Sequence, residues 1–207
     1  KYKKRPNGAY AVMNLQELLE ENNFEFDKNF YKDCTVFTKL LQQWGKIHNL
    51  SGRLTLEDIN ENILDSIYPL NFIDSYESFA DIGTGAGYPG LLLAIARKDM
   101  KAYLIEPRVK RVAFLNFVKA SLKLDNLTII CDRVEKVNDL KVDLVTSRAV
   151  TNTSLLLDIT KDIVNENASY LFYKGSMLNE ELEAVKVNKN YKIVNRNDRN
   201  YLYIKGK

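Results

Sequence analysis

Histidine is almost missing from this 207-residue chain: His48 is the only one. Its scarcity removes metal sites built on several imidazoles and most proton relays that need one. Cys34 and Cys131 are the only cysteines and show no metal-type spacing, so reduced thiols in a cytoplasm are expected and no metal. No apolar run approaches membrane-spanning length and no secretory signal is visible, which predicts a soluble cytoplasmic protein. Acidic residues are absent from positions 1–12, where Lys1, Lys3, Lys4 and Arg5 supply four positive charges. The formal charge of +3 therefore becomes −1 for the remainder (+3 less 4), and global basicity says little about nucleic acid. Residues 1–12 are read as a leader, flexible and separate from the fold, because Met13-Asn14-Leu15 looks like a natural start.

Local charge is more informative. Eight basic residues between Arg97 and Lys123 face only Asp99 and Glu106. Seven between Lys186 and Lys207 face Asp198 alone. Either run is a solvated face or part of an RNA footprint.

The centre of the chain carries the strongest pattern. Phe79-Ala80-Asp81-Ile82 is a short apolar run with a carboxylate, followed by Gly83-Thr84-Gly85-Ala86-Gly87-Tyr88-Pro89-Gly90 and the apolar run Leu91–Ala96. Strand, glycine turn and helix bring a ligand against bare backbone amides and a helix N-terminus. Counted from Gly83, a dinucleotide fingerprint wants a small residue where Tyr88 stands. A phosphate loop wants Gly-Lys-Ser/Thr, which is absent. The nucleoside turn of an S-adenosylmethionine methyltransferase wants an acidic residue ending the next strand, and Glu106 follows Lys101–Ile105. Glu106 is read as a ribose acceptor, or as compensation for the helix that Pro107-Arg108 opens. Gly83 and Gly85 let a ligand approach the backbone, and Asp132-Arg133-Val134-Glu135 follows the third strand where an adenine would lie.

Around this motif, residues 14–22, 28–47 and 55–67 have helical spacing, with Thr55 as an N-cap. Strands are predicted at 78–82, 101–106, 127–131, 142–146 and 168–174, and helices at 88–97, 108–124 and 153–164. A helix near 177–187 precedes a hairpin of Tyr191–Val194 and Tyr201–Ile204. The expected fold is α/β: a doubly wound, Rossmann-like class I methyltransferase sheet, mostly parallel with a C-terminal antiparallel strand. Residues 13–70 form an N-terminal helical extension and 71–207 the catalytic domain, together one unit.

The fourth strand ends in Ser147-Arg148-Ala149. Neither the Asp/Asn-Pro-Pro-aromatic of exocyclic-amine methylation nor a cysteine nucleophile is present there. Arginine stays protonated, so Arg148 can position but not act as a base. Such a site suits a nucleophile that needs no deprotonation, and guanine N7 qualifies.

These residues resemble the ribosomal RNA small-subunit methyltransferase G family. The likeness rests on Trp44 with Asn49-Leu50-Ser51, Leu64-Asp65-Ser66-Ile67, Asp81–Gly90, Lys110–Leu115, Arg133-Val134-Glu135, Ser147-Arg148-Ala149 and Lys174-Gly175, with Arg199 before the last strand. It implies methylation of guanine N7 in 16S ribosomal RNA with S-adenosyl-L-methionine, free or within the small-subunit particle, by a monomer. Cofactor contacts are then implied at Gly83, Tyr88, Val134, Glu135 and Arg148, and RNA contacts at Arg133, Lys174 and Arg199. Asn62 stands near where the family commonly has a histidine, and Ala86 where it usually has proline. The rivals are a methyltransferase for a small molecule or protein, a non-catalytic RNA-binding assembly factor, and a dehydrogenase, the last disfavoured by Tyr88.

Overall fold

Caps and apolar stripes set the N-terminal helices. The computed structural model describes residues 2–4, 10–48, 52, 54–176, 178, 181–182 and 190–206. β1 (Tyr2–Lys4) and β2 (Tyr10–Val12) form an antiparallel ribbon, so part of the expected leader is paired. α1 (Leu15–Glu20) begins at a capping box, in which Asn14 and Glu17 satisfy each other's backbone amides. α2 (Lys28–His48) turns Phe30, Phe37 and Leu41 inward. α3 (Leu56–Ile67) starts at Thr55, whose hydroxyl accepts the Asp58 amide as expected of an N-cap. The Asn49-Leu50-Ser51 segment lies outside the described residues.

Beyond Pro69, strands and helices alternate. β3 (Ser78–Ile82), α4 (Gly90–Ala96), β4 (Lys101–Ile105), α5 (Val109–Leu122), β5 (Leu127–Ile130), β6 (Val142–Arg148), α6 (Thr153–Ile159) and β7 (Val164–Lys174) follow in order. β8 (Tyr191–Arg196) and β9 (Arg199–Ile204) close the sheet, whose order is β5-β4-β3-β6-β7-β9-β8. Every pairing from β5 to β7 is parallel, while β9 is antiparallel to both neighbours. Strand order reverses at β3, so the crevice between the carboxyl ends of β3 and β6 is the switch point where doubly wound sheets bind ligands.

Several expectations shift: the strand expected at 142–146 runs to Arg148, and the helix expected at 153–164 ends at Ile159. β7 begins at Val164 rather than 168, because Asn165, Glu166 and Asn167 are polar and exposed yet continue the strand. The hairpin connection is two residues, Asn197 and Asp198, rather than six, because Asn195-Arg196 and Arg199-Asn200 also pair. Of the helix expected near 177–187, only Leu178, Glu181 and Leu182 are among the described residues.

β3 is buried along its whole length, as a central parallel strand requires. One of its faces shares a core with α2, α3, α4 and α5 through Phe37, Ile63, Leu64, Leu92 and Phe114. The other packs Ala80 and Ile82 with Val134, Leu156 and Phe172. The N-terminal helices therefore cover one layer of the sheet. Among the described residues, no helix is long and apolar enough to cross a membrane, and no group of three or more potential ligands could hold a metal.

Candidate active site

The turn after β3 is bent by three glycines with positive φ: Gly83 (66°), Gly85 (63°) and Gly87 (100°). A Cβ on Gly83 would lie 2.6 Å from Val150 Cγ2, so glycine there lets the β6 end close over the turn. Asp81, fully buried beneath, holds the turn from below. It accepts the Gly90 amide at 2.9 Å and the Thr146 hydroxyl at 2.8 Å, tying α4 and β6 to β3. Burial raises its pKa to about 6, the hydrogen bonds from Thr146 and Gly90 opposing.

Beside the turn lies a cleft of about 370 Å³ across the carboxyl ends of β3, β4 and β5, within the usual range of small-molecule sites. Ile82, Ile105, Val150 and Ile159 give it apolar walls. Of the sequence-predicted cofactor residues, Gly83, Glu106, Val134 and Glu135 line it, and Arg133 stands exposed at its rim. Asp132 lines it too, beside Val134 and Glu135.

Glu106 is almost wholly buried. One of its oxygens accepts the Gly85 amide and the other the Arg108 amide, each at 3.0 Å, and Arg111 Nη1 lies 3.4 Å away. Glu106 thus braces the helix start, and the oxygen that takes the Arg108 amide keeps a lone pair, while the other is engaged by Gly85 and Arg111. Gly85 acts from behind the cleft by orienting this carboxylate.

Tyr88 and Arg148 sit apart from that cleft, on the α3 side of the turn. Arg148 Cζ lies 4.8 Å above the centroid of the Tyr88 ring. Its Nη1 donates to Asn62 Oδ1 at 2.9 Å and to Asp65 Oδ2 at 3.0 Å. Asp65 Oδ1 takes Arg199 Nε at 3.0 Å and the Tyr201 hydroxyl at 2.9 Å. The tyrosine hydroxyl of Tyr88 is buried and has no partner among the described residues, a donor left over for a bound group. Burial pushes that phenol up, so it stays protonated.

Lys174 is buried rather than presented to solvent, its Nζ 2.8 Å from Glu181 Oε2 and 3.0 Å from the Thr151 carbonyl. Arg199 is partly covered by its pair with Asp65. The roles of Asn62 and Asp65 as partners of Arg148 escaped the sequence reading. Their signal was one helical face carrying two polar groups, four residues from Asp58 and from Glu61 respectively.

Residues 31–202 match the family model described as rRNA small subunit methyltransferase G. This chain belongs to that family. It is 77% identical to the ribosomal RNA small subunit methyltransferase G of Aliarcobacter butzleri, over 93% of this chain and 98% of that one. It is 39% identical to the protein of the same name from Wolinella succinogenes, over 94% of this chain and 100% of the other. A methyltransferase from Geobacter sulfurreducens has the same fold at 14% identity, with TM-score 0.61 over 92% of this chain and 94% of its own. The small-subunit methyltransferase G fold and family imply S-adenosylmethionine as cofactor. The residues present fit that group: a glycine turn with no side chains in the way, paired amides on Glu106, and apolar walls wide enough for a nucleoside.

Proposed function

We propose that the protein transfers a methyl group from S-adenosylmethionine to N7 of a guanosine in 16S ribosomal RNA, as a cytoplasmic monomer acting on that RNA or on the small-subunit particle. The observation that carries this reading is the position of Arg148 at the switch point. Its guanidinium is anchored by Asp65 and Asn62, while Ala149 and Val150, next along the chain, line the nucleoside cleft.

S-adenosylmethionine would supply a methyl group on a cationic sulfur, taken by the guanine N7 lone pair while the C–S electron pair stays on sulfur. No proton moves, so the chain needs no general base at the reacting atoms. Glu106, Val134 and Glu135 hold the nucleoside end, and Gly83 and Gly85 let the remainder lie against the backbone. Tyr88 offers its hydroxyl as a donor to the cofactor. Arg148 keeps Nε and Nη2 uncommitted among the described residues, so its fork can hold the cofactor carboxylate or guanine O6 while Nη1 stays on Asp65. Arg133 and Arg199 meet RNA phosphate, with Lys174 bracing that edge. Residues 71–207 carry the transfer, and 13–70 complete the same unit through α3.

The test is single-turnover methylation of small-subunit particles. Arg148→Lys keeps the charge but loses the fork. It should retain most cofactor affinity and lose at least about tenfold in rate, some 1.4 kcal/mol of transition-state stabilisation. Wild-type rates for both Arg148→Lys and Arg148→Ala would make Arg148 a scaffold residue only.

A further inference from the structure

A second cleft opens on the same edge of the sheet. The β8–β9 turn precedes β9, whose Asn200 pairs with Lys174 at the carboxyl end of β7. That turn therefore stands at the edge where the nucleoside cleft lies. Between it and α3 is a space of about 290 Å³, lined on one wall by Asp58, Glu61, Asn62 and Asp65 and on the other by the turn itself, with Arg196, Asp198 and Arg199. Arg148 separates the two clefts: the residues after it line the first, and its partners Asn62 and Asp65 line the second.

The second cleft is polarised along α3. At one end stand Asn62 and Asp65, which hold the Arg148 guanidinium just beyond the lining. One helical turn from Asp65, about 6 Å along the axis, Glu61 presents a carboxylate. Glu61 Oε2 is held by Arg196 Nη2 at 2.9 Å, and Oε1 has no partner among the described residues. Arg196 in turn lies over the Tyr68 ring, its Cζ 5.4 Å from the centroid, so the carboxylate is fixed before any ligand arrives.

Guanine carries the complementary pattern. N7 and O6 accept along one edge, and N1–H and the N2 amino group donate on the adjoining edge, past O6. With N7 turned toward the cofactor, the donor edge points away from Arg148 and toward Glu61. Adenine would set its N1 acceptor against the carboxylate, and pyrimidines have no N7. Within the lining, Asp58, Glu61, Asp65 and Asp198 outnumber Arg196 and Arg199, which disfavours phosphate inside the cleft, so it suits a base extruded from its strand while the backbone stays outside.

We propose that the cleft between α3 and the β8–β9 turn receives the target guanine, with the Glu61 carboxylate accepting hydrogen bonds from N1–H and the N2 amino group. This rests on the reading of the protein as a guanine-N7 methyltransferase. Glu61 is then the residue that makes the enzyme specific for guanine.

The test uses small-subunit particles reconstituted with 16S RNA bearing guanosine or inosine at the nucleotide that the wild-type protein methylates. Inosine keeps N7 and O6 and lacks only the N2 amino group. In single turnover the wild type should prefer guanosine by about tenfold, since a site built for a donor rejects its absence. Glu61→Ala should be slower on guanosine and should react with both bases within about twofold of each other. Glu61→Gln, which keeps the side chain's volume beside Arg196, should also narrow the preference, with cofactor affinity by calorimetry unchanged in both variants. Equal losses on the two bases, leaving the preference intact, would show Glu61 to be merely structural and overturn the proposal. A wild type indifferent to the N2 group overturns it as well. A wild type that methylates no guanosine at all refutes the underlying reading instead, so the two failures are distinct.

Discussion

Asp81 is a carboxylate whose environment departs from what its type suggests. A carboxylate ordinarily near 3.8 is carried by burial to about 6, while Thr146 and Gly90 hold it in place. Because its folded pKa is raised, the protonated form is the one the fold favours. Stability from this group is complete below pH 4 and is lost as pH rises through about 6. Asp81→Asn removes that dependence, so its stability relative to wild type should rise by about 3 kcal/mol between pH 4 and 7. Urea denaturation across that range checks it, and parallel curves would refute the shift. From pH 7 upward Asp81 is mostly ionised, so the chemical step should be nearly independent of pH from about 7 to 8.5. A limb in that window abolished by replacing one Asp, Glu or Tyr would reveal a base and a different target atom. Gly85 matters for another reason. An added Cβ has room, 3.6 Å from Arg111 Nη1, but φ of 63° is strained for a branched side chain. Gly85→Val should twist the turn off Glu106 and weaken S-adenosylmethionine at least about tenfold by calorimetry in a protein that stays folded. Unchanged affinity would remove this loop from the cofactor site.

Where α4 meets β3, spacing decides. A Cβ on Gly90 would lie 2.5 Å from Asp81 Cβ and 2.4 Å from Leu104 Cδ2, so the first turn of α4 packs directly on two strands. Tyr88 and Pro89 separate Gly87 from Gly90, the same two-residue spacing at which a dinucleotide fold places its close-packing glycine, and Gly90 does that job here. Gly90→Ala should cost about 1–3 kcal/mol, read from the urea midpoint at constant slope. A neutral result would mean the helix can slide without loss. At the level of elements, α3 has two tasks. Its apolar face, Ile59, Ile63, Leu64 and Ile67, joins the core, and its polar face, Glu61, Asn62 and Asp65, meets Arg196, Arg148 and Arg199.

For the molecule as a whole, the proposed RNA contacts and stability should fall on different basic residues. Arg133 is exposed at the rim of the nucleoside cleft. Arg133→Ala should leave stability unchanged, weaken particle binding and lower its salt dependence by about one ion. Lys174 is buried against Glu181, which also caps Thr153. Lys174→Ala should therefore cost stability, on the order of 1–3 kcal/mol, because Glu181 loses its charged donor. Thermal melts and filter binding at several salt concentrations separate the two, and an unfolding loss for Arg133→Ala would reverse this assignment.

The alternation of apolar runs with glycine and proline punctuation already determined the β3–α4–β4 unit, because strand and helix periods are local properties of side-chain spacing. Glu106 was legible for the same reason, its place after a strand following from the chain alone. Only the tertiary structure decided that Arg148 belongs with Asn62 and Asp65, more than eighty residues away. Equally, nothing in the run of basic residues separates exposed Arg133 from buried Lys174. Charge in a sequence names what a side chain can do, and burial and partners, which depend on how distant segments pack, select which of those things it does.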